Sequence, residues 1–198
     1  MSLRPESRLG RLRRPRYRGP VIGFLRFVGL MNAAVWFGAA IFFTVGVGPA
    51  VFSHDMQRLL GANNFPYFSG AIVQVLIARY FDLQVVCGLI ALFHAAAEWL
   101  YLGRPLHKFW AGLLAGLLAV GLLGDFVLQP KIQKLHAIKY APNRAPATRN
   151  AAARSLGLWH GFSQTVNVLM LAGLGLYLWR VAHPVSTTRF VTPAKFPG

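Results

Sequence analysis

The stretch YFSGAIVQVLIARYFDLQVVCGLIALFHAAAEWLYL, residues 67–102, decides the architecture. It is apolar throughout, yet it carries Arg79, Asp82, Gln84, Cys87, His94 and Glu98. About 20 apolar residues suffice to cross the hydrocarbon core of a bilayer. The run is too long for one perpendicular crossing. It predicts either a long tilted helix or a short interfacial helix leading into the crossing. A break is expected between Arg79 and Leu83, with the crossing from Tyr80 to Leu102. Gly103-Arg104-Pro105 then makes a sharp turn, since Gly favours the end of a helix and Pro cannot continue one.

The rest of the chain fits this reading. Of 198 residues, 55% are hydrophobic and only 13% charged, against about 25% charged in soluble domains. Charge collects at the termini and in one loop, leaving four apolar stretches. The first helix is expected over Val21–Gly48, with Asn32 and Trp36 on one face and Pro49 ending it. A polar connection over Asp55–Pro66 contains the turn signal Gly61-Ala62-Asn63-Asn64; His54 and Asp55 read as solvated loop residues. The third helix is expected over Leu106–Gln129, closed by Pro130. A basic loop spans Lys131–Arg154, and the fourth helix covers Leu156–Ala182. The predicted fold is therefore an all-α integral membrane protein. Its four transmembrane helices form a bundle over residues 21–182, the second long or preceded by a short interfacial helix.

Residues 1–20 form a basic N-terminal tail with seven arginines and one acid, Glu6. The apolar segment that follows is too long for a signal peptide, and the tail lacks the serine-rich amphipathic character of a mitochondrial presequence. Residues 183–198 contain three prolines and read as an irregular C-terminal tail. A net charge of +16 raises nucleic acid as a partner, but no recognition motif accompanies it. Basic residues flanking membrane helices set orientation and meet anionic lipid headgroups. The bilayer, with anionic headgroups at the N-terminal tail, is the expected partner. A larger membrane complex or a homo-oligomer is a further candidate. With the N-terminus inside, Lys and Arg total 12 inside and 7 outside, which favours a bacterial inner membrane with a cytoplasmic N-terminus. The six basic residues of the third loop run against that count. The single Cys87 excludes an intramolecular disulfide and reads as a small packing residue.

Five acidic residues exist in the chain, and ionisable groups at membrane depth need partners. Gln84, Cys87, Ala91, His94 and Glu98 step by three and four, forming a stripe about 21 Å long on one helix face. His160, Ser163, Gln164 and Asn167 repeat the spacing in the fourth helix, and Asp125 and Gln129 do so in the third. These stripes are expected to face one another inside the bundle. Depth sorts them into an outer set of Arg79, Asp82, Asp125, Gln129 and His160, and an inner set of Asn32, His94 and Glu98. Arg79 or His160 is expected to approach Asp125. Gly112 and Gly116 offer a close-packing or oligomer face.

Two functional readings of the polar sets compete. Carboxylates and imidazoles in membranes can form a proton or cation path. The same groups can be interhelical hydrogen-bond glue, with Ser163, Gln164 and Asn167 suited to that role. His94 or His160 could ligate haem or chlorophyll, but no CxxCH motif is present and no cofactor is predicted. His94 and Glu98 at four-residue spacing lack the further ligands of a metal site. No nucleophile–base arrangement or phosphate-binding glycine loop is evident, so no enzyme is predicted. An accessory, scaffold or binding subunit is the leading reading. A small transporter and a pigment-binding subunit stand behind it.

Two stretches carry a family resemblance. Trp36-Phe-Gly-Ala-Ala-Ile-Phe-Phe with Gly48-Pro-Ala-Val-Phe52 resembles the first helix of the transmembrane-protein-205-like family, also called domain of unknown function 4149. Trp159-His-Gly-Phe-Ser163 with Asn167 resembles its last helix, and Gln129-Pro-Lys-Ile the exit from its third. Gln129 stands where the family is expected to carry Thr. The likeness covers residues 28–180. It implies a four-helix membrane protein with no established reaction. It also implies a common framework of Trp36, Gly38, Pro49, Asp125, Pro130, His160, Ser163 and Asn167.

Overall fold

The computed structural model describes residues 19–102 and 107–183, and the regular elements among them are all helical. The first crossing is α1 (Gly19–Ile41), a π-helical segment (Phe42–Val47) and α2 (Gly48–Val51). After the short α3 (His54–Leu60) comes α4 (Phe65–Leu102). The third crossing is α5 (Lys108–Leu123), a second π-helical segment (Gly124–Leu128) and α6 (Gln129–Tyr140); α7 (Pro146–Ala182) is the fourth. The expectations for the basic tail over residues 1–18, for the turn at Gly103-Arg104-Pro105 and for residues 184–198 lie outside the described residues.

Four spans are long and apolar enough to cross a membrane: Ile22–Val51, Phe65–Tyr101, Lys108–Tyr140 and Pro146–Ala182, of 30, 37, 33 and 37 residues. At 1.5 Å per residue they are about 45–55 Å long, against about 30 Å of hydrocarbon. Helices of this length tilt in the bilayer or extend past its hydrocarbon.

The long second run is one helix. The expected break between Arg79 and Leu83 does not occur; α4 begins at Phe65, after the short α3, and runs unbroken to Leu102. Neither Gly nor Pro interrupts residues 71–87. Arg79 meets its charge partner within the helix, Nη1 donating to Asp82 Oδ2 at 3.2 Å, so no kink is needed to reach one.

Two prolines that read as helix ends are instead absorbed. Proline has no N–H for the carbonyl four residues back and its ring crowds that carbonyl. At Pro49 and Pro130 the helix answers with a widened turn just upstream, where bonds skip to the fifth residue. Gly48 N–H donates to Phe43 O, and Gln129 N–H donates to Gly124 O. The first crossing therefore continues to Val51, and the third passes through Pro130 to Tyr140. Most of the expected loop 131–154 becomes helix: α6 and the first turns of α7 form a hairpin. The connection at Asp55–Pro66 likewise contains α3, capped where Ser53 Oγ accepts from Met56 N–H at 3.2 Å.

The core gathers Ala33, Trp36 and Ala40 of α1, Cys87 and Ala91 of α4, Leu114 and Leu117 of α5, and Met170, Leu174 and Tyr177 of α7. Small residues at Ala33, Ala40 and Ala91 let the backbones approach, as helix packing in lipid requires. Trp36 is fully buried; its ring meets Tyr177 edge-on at 6.2 Å.

Candidate functional site

The polar residues divide by depth, and the two groups behave differently. Toward the end carrying Arg26, Lys108 and Arg180, they are closed into local contacts. Asn32 Nδ2 donates to Cys87 O at 2.9 Å, and His94 Nε2 donates to Leu25 O at 2.8 Å. The His94 ring lies where a Cβ on Gly29 would collide with it, so the glycine makes the imidazole's seat. Glu98 is half-buried one turn further along α4. Trp36 Nε1 donates to Gln84 Oε1 in the centre. His94 is 8% exposed and its Nε2 is engaged, so that nitrogen faces no open pocket.

Toward the opposite end, a single layer ties all four crossings together. Phe43 stacks on Tyr80 with ring centroids 4.5 Å apart. A Cβ on Gly124 would overlap the Phe81 ring. Asn167 Nδ2 donates to Thr44 Oγ1 at 2.8 Å, and Thr44 passes the bond on to Ala40 O at 2.8 Å. Both π-helical segments lie in this layer, and Thr44 and Asp125 each stand five residues before their proline. Such wide turns recur at functional sites because they re-aim side chains and free carbonyls. Replacing Asn167 by Leu is expected to cost about 0.6–1.7 kcal/mol, the range of interhelical hydrogen bonds in membranes; unfolding by SDS in mixed micelles would read it, and an unchanged midpoint would remove the bond from the account.

The outer set is not one cluster. Arg79 pairs with Asp82 rather than Asp125, because the i, i+3 partner is already in reach. His160 lies within 3.5 Å of Gln164 on its own helix, and among the described residues no hydrogen bond or ion pair reaches the half-buried Asp125. The fourth-helix stripe does not face the bundle as expected. His160 and Gln164 are exposed and Ser163 Oγ bonds back to His160 O at 2.7 Å; only Asn167 turns inward to another crossing. Gly112 and Gly116 are exposed, and among the described residues a Cβ at either would meet nothing within 4 Å. The π turn separates Asp125 from Gln129, which is buried and donates from Nε2 to Gln74 O at 3.4 Å.

What the structure does bring together is Arg79, Asp82 and Gln129. They line an open groove of about 460 Å³ with Gln74 and Gln133, over a floor of Ala71, Val75 and Ala78. Two further groups sit close by on the same helices and were not legible as site residues. Ser69 Oγ and His136 Nε2 are buried without hydrogen-bond partners among the described residues. His136 fills the space over Gly70 and stacks with Tyr67 at 5.4 Å. His136 fell within the expected loop, so nothing in its spacing singled it out.

Beyond the groove, the α6–α7 hairpin carries Lys131, Lys134, Lys139, Arg144, Arg149 and Arg154. Lys131 lies over the Trp159 ring at 5.6 Å. Asp82, which shares the groove with Gln133, is taken by Arg79 of its own helix, so the hairpin's charge is not neutralised by it.

A family model described as Domain of unknown function (DUF4149) matches residues 31–141. The match takes in Trp36, Gly38, Pro49, Asp125 and Pro130, and ends before α7 with His160, Ser163 and Asn167. No curated protein and no solved structure matched the chain.

Proposed function

Since the chain belongs to the family described as Domain of unknown function (DUF4149), a description that assigns no reaction, we propose from its own geometry that it is a non-enzymatic accessory or scaffold subunit of a larger membrane assembly. The observation that supports this is the packed core between the two polar sets. Trp36, Ala40 and Ala91 have 0% exposure, and Leu174 1%. They fill the axis between Asn32 and His94 at one end and the Thr44–Asn167 layer at the other. A proton or cation path needs a continuous polar connection through that region; close-packed side chains around the one Trp36–Gln84 hydrogen bond suit a docking scaffold better.

The partner surface in this reading is the cationic hairpin, which projects from the bilayer and presents six Lys and Arg side chains. We place the chain in a bacterial inner membrane with a cytoplasmic N-terminus, following the inside excess of basic residues, and among the transmembrane-protein-205-like members of its family. The hairpin then faces outward.

Purification of the full chain in a mild detergent tests the reading. A defined assembly larger than a monomer or homodimer is expected, and replacing Lys134, Arg149 and Arg154 by Gln is expected to release it. A lone monomer or homodimer that conducts protons or cations in proteoliposomes would overturn the scaffold in favour of transport.

A further inference from the structure

We propose that the groove between α4 and α6 is a binding site for the headgroup of a zwitterionic phospholipid carrying a primary amine, a phosphatidylethanolamine. The inference rests on the groove's place, its charges and the surface below it, and is independent of the scaffold reading.

The place is the membrane boundary. Between Asp82 and Glu98 α4 carries no Lys, Arg, Asp or Glu, and neither does the third crossing between Lys108 and Asp125. Gly124 packs against Phe81, and Gly121 lies against the Cβ of Gln84, so Asp82 and Asp125 lie at similar depth. They mark where hydrocarbon gives way to headgroups. The groove starts there and rises along α4 to Ala71.

The charges select a zwitterion. Arg79 and Asp82 stand 3.2 Å apart, with side chains 81% and 58% exposed. An exposed pair of this kind is held weakly and opens readily. An anionic headgroup that reaches the Arg79 guanidinium meets the Asp82 carboxylate as well, and a simple cation meets Arg79. A headgroup with a phosphate next to an ammonium satisfies both: the guanidinium donates to phosphate oxygens, which suits its fork geometry, and the ammonium donates to Asp82. A primary ammonium brings three donors for the carboxylate; a quaternary one brings none. The amides of Gln74 and Gln133, on the groove wall, add donors for the phosphate.

The surface below accepts the chains. Val86, Leu89 and Phe93 are exposed at 52%, 43% and 73%. With Arg79 and Asp82 they form one stripe of α4 at three- and four-residue steps. A lipid with its headgroup in the groove lays its acyl chains along Val86, Leu89 and Phe93.

Native mass spectrometry of the full chain in detergent, with dioleoyl-phosphatidylethanolamine or dioleoyl-phosphatidylglycerol added, tests the site. The wild type is expected to retain the ethanolamine lipid about fivefold better, the scale of an exposed charge contact. Asp82→Asn is expected to abolish or invert that preference, and Arg79→Gln to lower retention of both lipids. Both side chains are exposed, so folding should persist; a circular dichroism melt unchanged from wild type verifies it. Equal retention of the two lipids by the wild type, or an unaltered ratio in D82N, would overturn the proposal. Displacement of the lipid by free phosphoethanolamine would also overturn it, because the headgroup alone would then be the ligand.

Discussion

Trp36→Ala is expected to lower the free energy of unfolding by about 3 kcal/mol, the low end of the range for buried aromatics. In water part of that range is transfer of the side chain from solvent. In a bilayer the unfolded helix already lies in hydrocarbon, so the transfer contribution fades and the cavity and lost dispersion contacts remain. Trp36 compensates by making more than packing contacts. Its Nε1 donates to Gln84 Oε1, and Gln84 is 1% exposed. Truncation would leave the buried Gln84 Oε1 without its donor beside the cavity. Trp36→Phe separates the two effects, since it keeps most of the ring and loses only the bond; a cost of about 1–3 kcal/mol is expected from the stranded amide. Adding Gln84→Leu to W36F should recover much of it. SDS titration in mixed micelles gives these numbers. A W36A loss below about 1 kcal/mol, or no recovery in the double variant, would mean that the core is not organised on this residue.

The four crossings were legible because hydrocarbon thickness imposes a length and a lack of charge that a single sequence displays. Which face of each helix turns inward was far less so. Trp36 is buried, yet Trp99 and Trp179 are 55% and 66% exposed; lipid is as apolar as the core, so hydrophobic patterning cannot tell the two apart. Polar spacing helped on α4, where Gln84, Cys87 and His94 are all buried. It misled on α7. His160 and Gln164 lie near the boundary, where polar groups are satisfied by their own helix and need no partner in the bundle. The prolines misled for a different reason. Pro49 and Pro130 carry the usual mark of a helix end, and whether a wide turn rescues them depends on what packs upstream. The same misreading hid His136 and the helical hairpin, and with them the part of the groove wall that Gln133 supplies.

Gly124→Ala gives that packing a number. Gly124 opens the second π-helical segment, where the third crossing packs against Phe81 of α4. A methyl group there would overlap the Phe81 ring, and in a layer also fixed by the Phe43–Tyr80 stack the ring has little room to withdraw. Overpacking of this kind costs about 1–3 kcal/mol, and the gain in helix propensity on replacing Gly, up to about 1 kcal/mol, offsets part of it. A net loss near 2 kcal/mol is expected. Gly112→Ala and Gly116→Ala serve as internal controls: a Cβ at either position meets nothing within 4 Å, so they should be neutral or slightly stabilising. Phe81→Leu should be mild alone, and in combination with G124A it should remove most of the loss, giving a coupling of at least about 1 kcal/mol between the two positions. That coupling distinguishes a steric cause from a backbone one. If Gly124 were required for the wide turn itself, shortening Phe81 would restore nothing, and the close approach of α4 would be a consequence of the π turn rather than a condition for it.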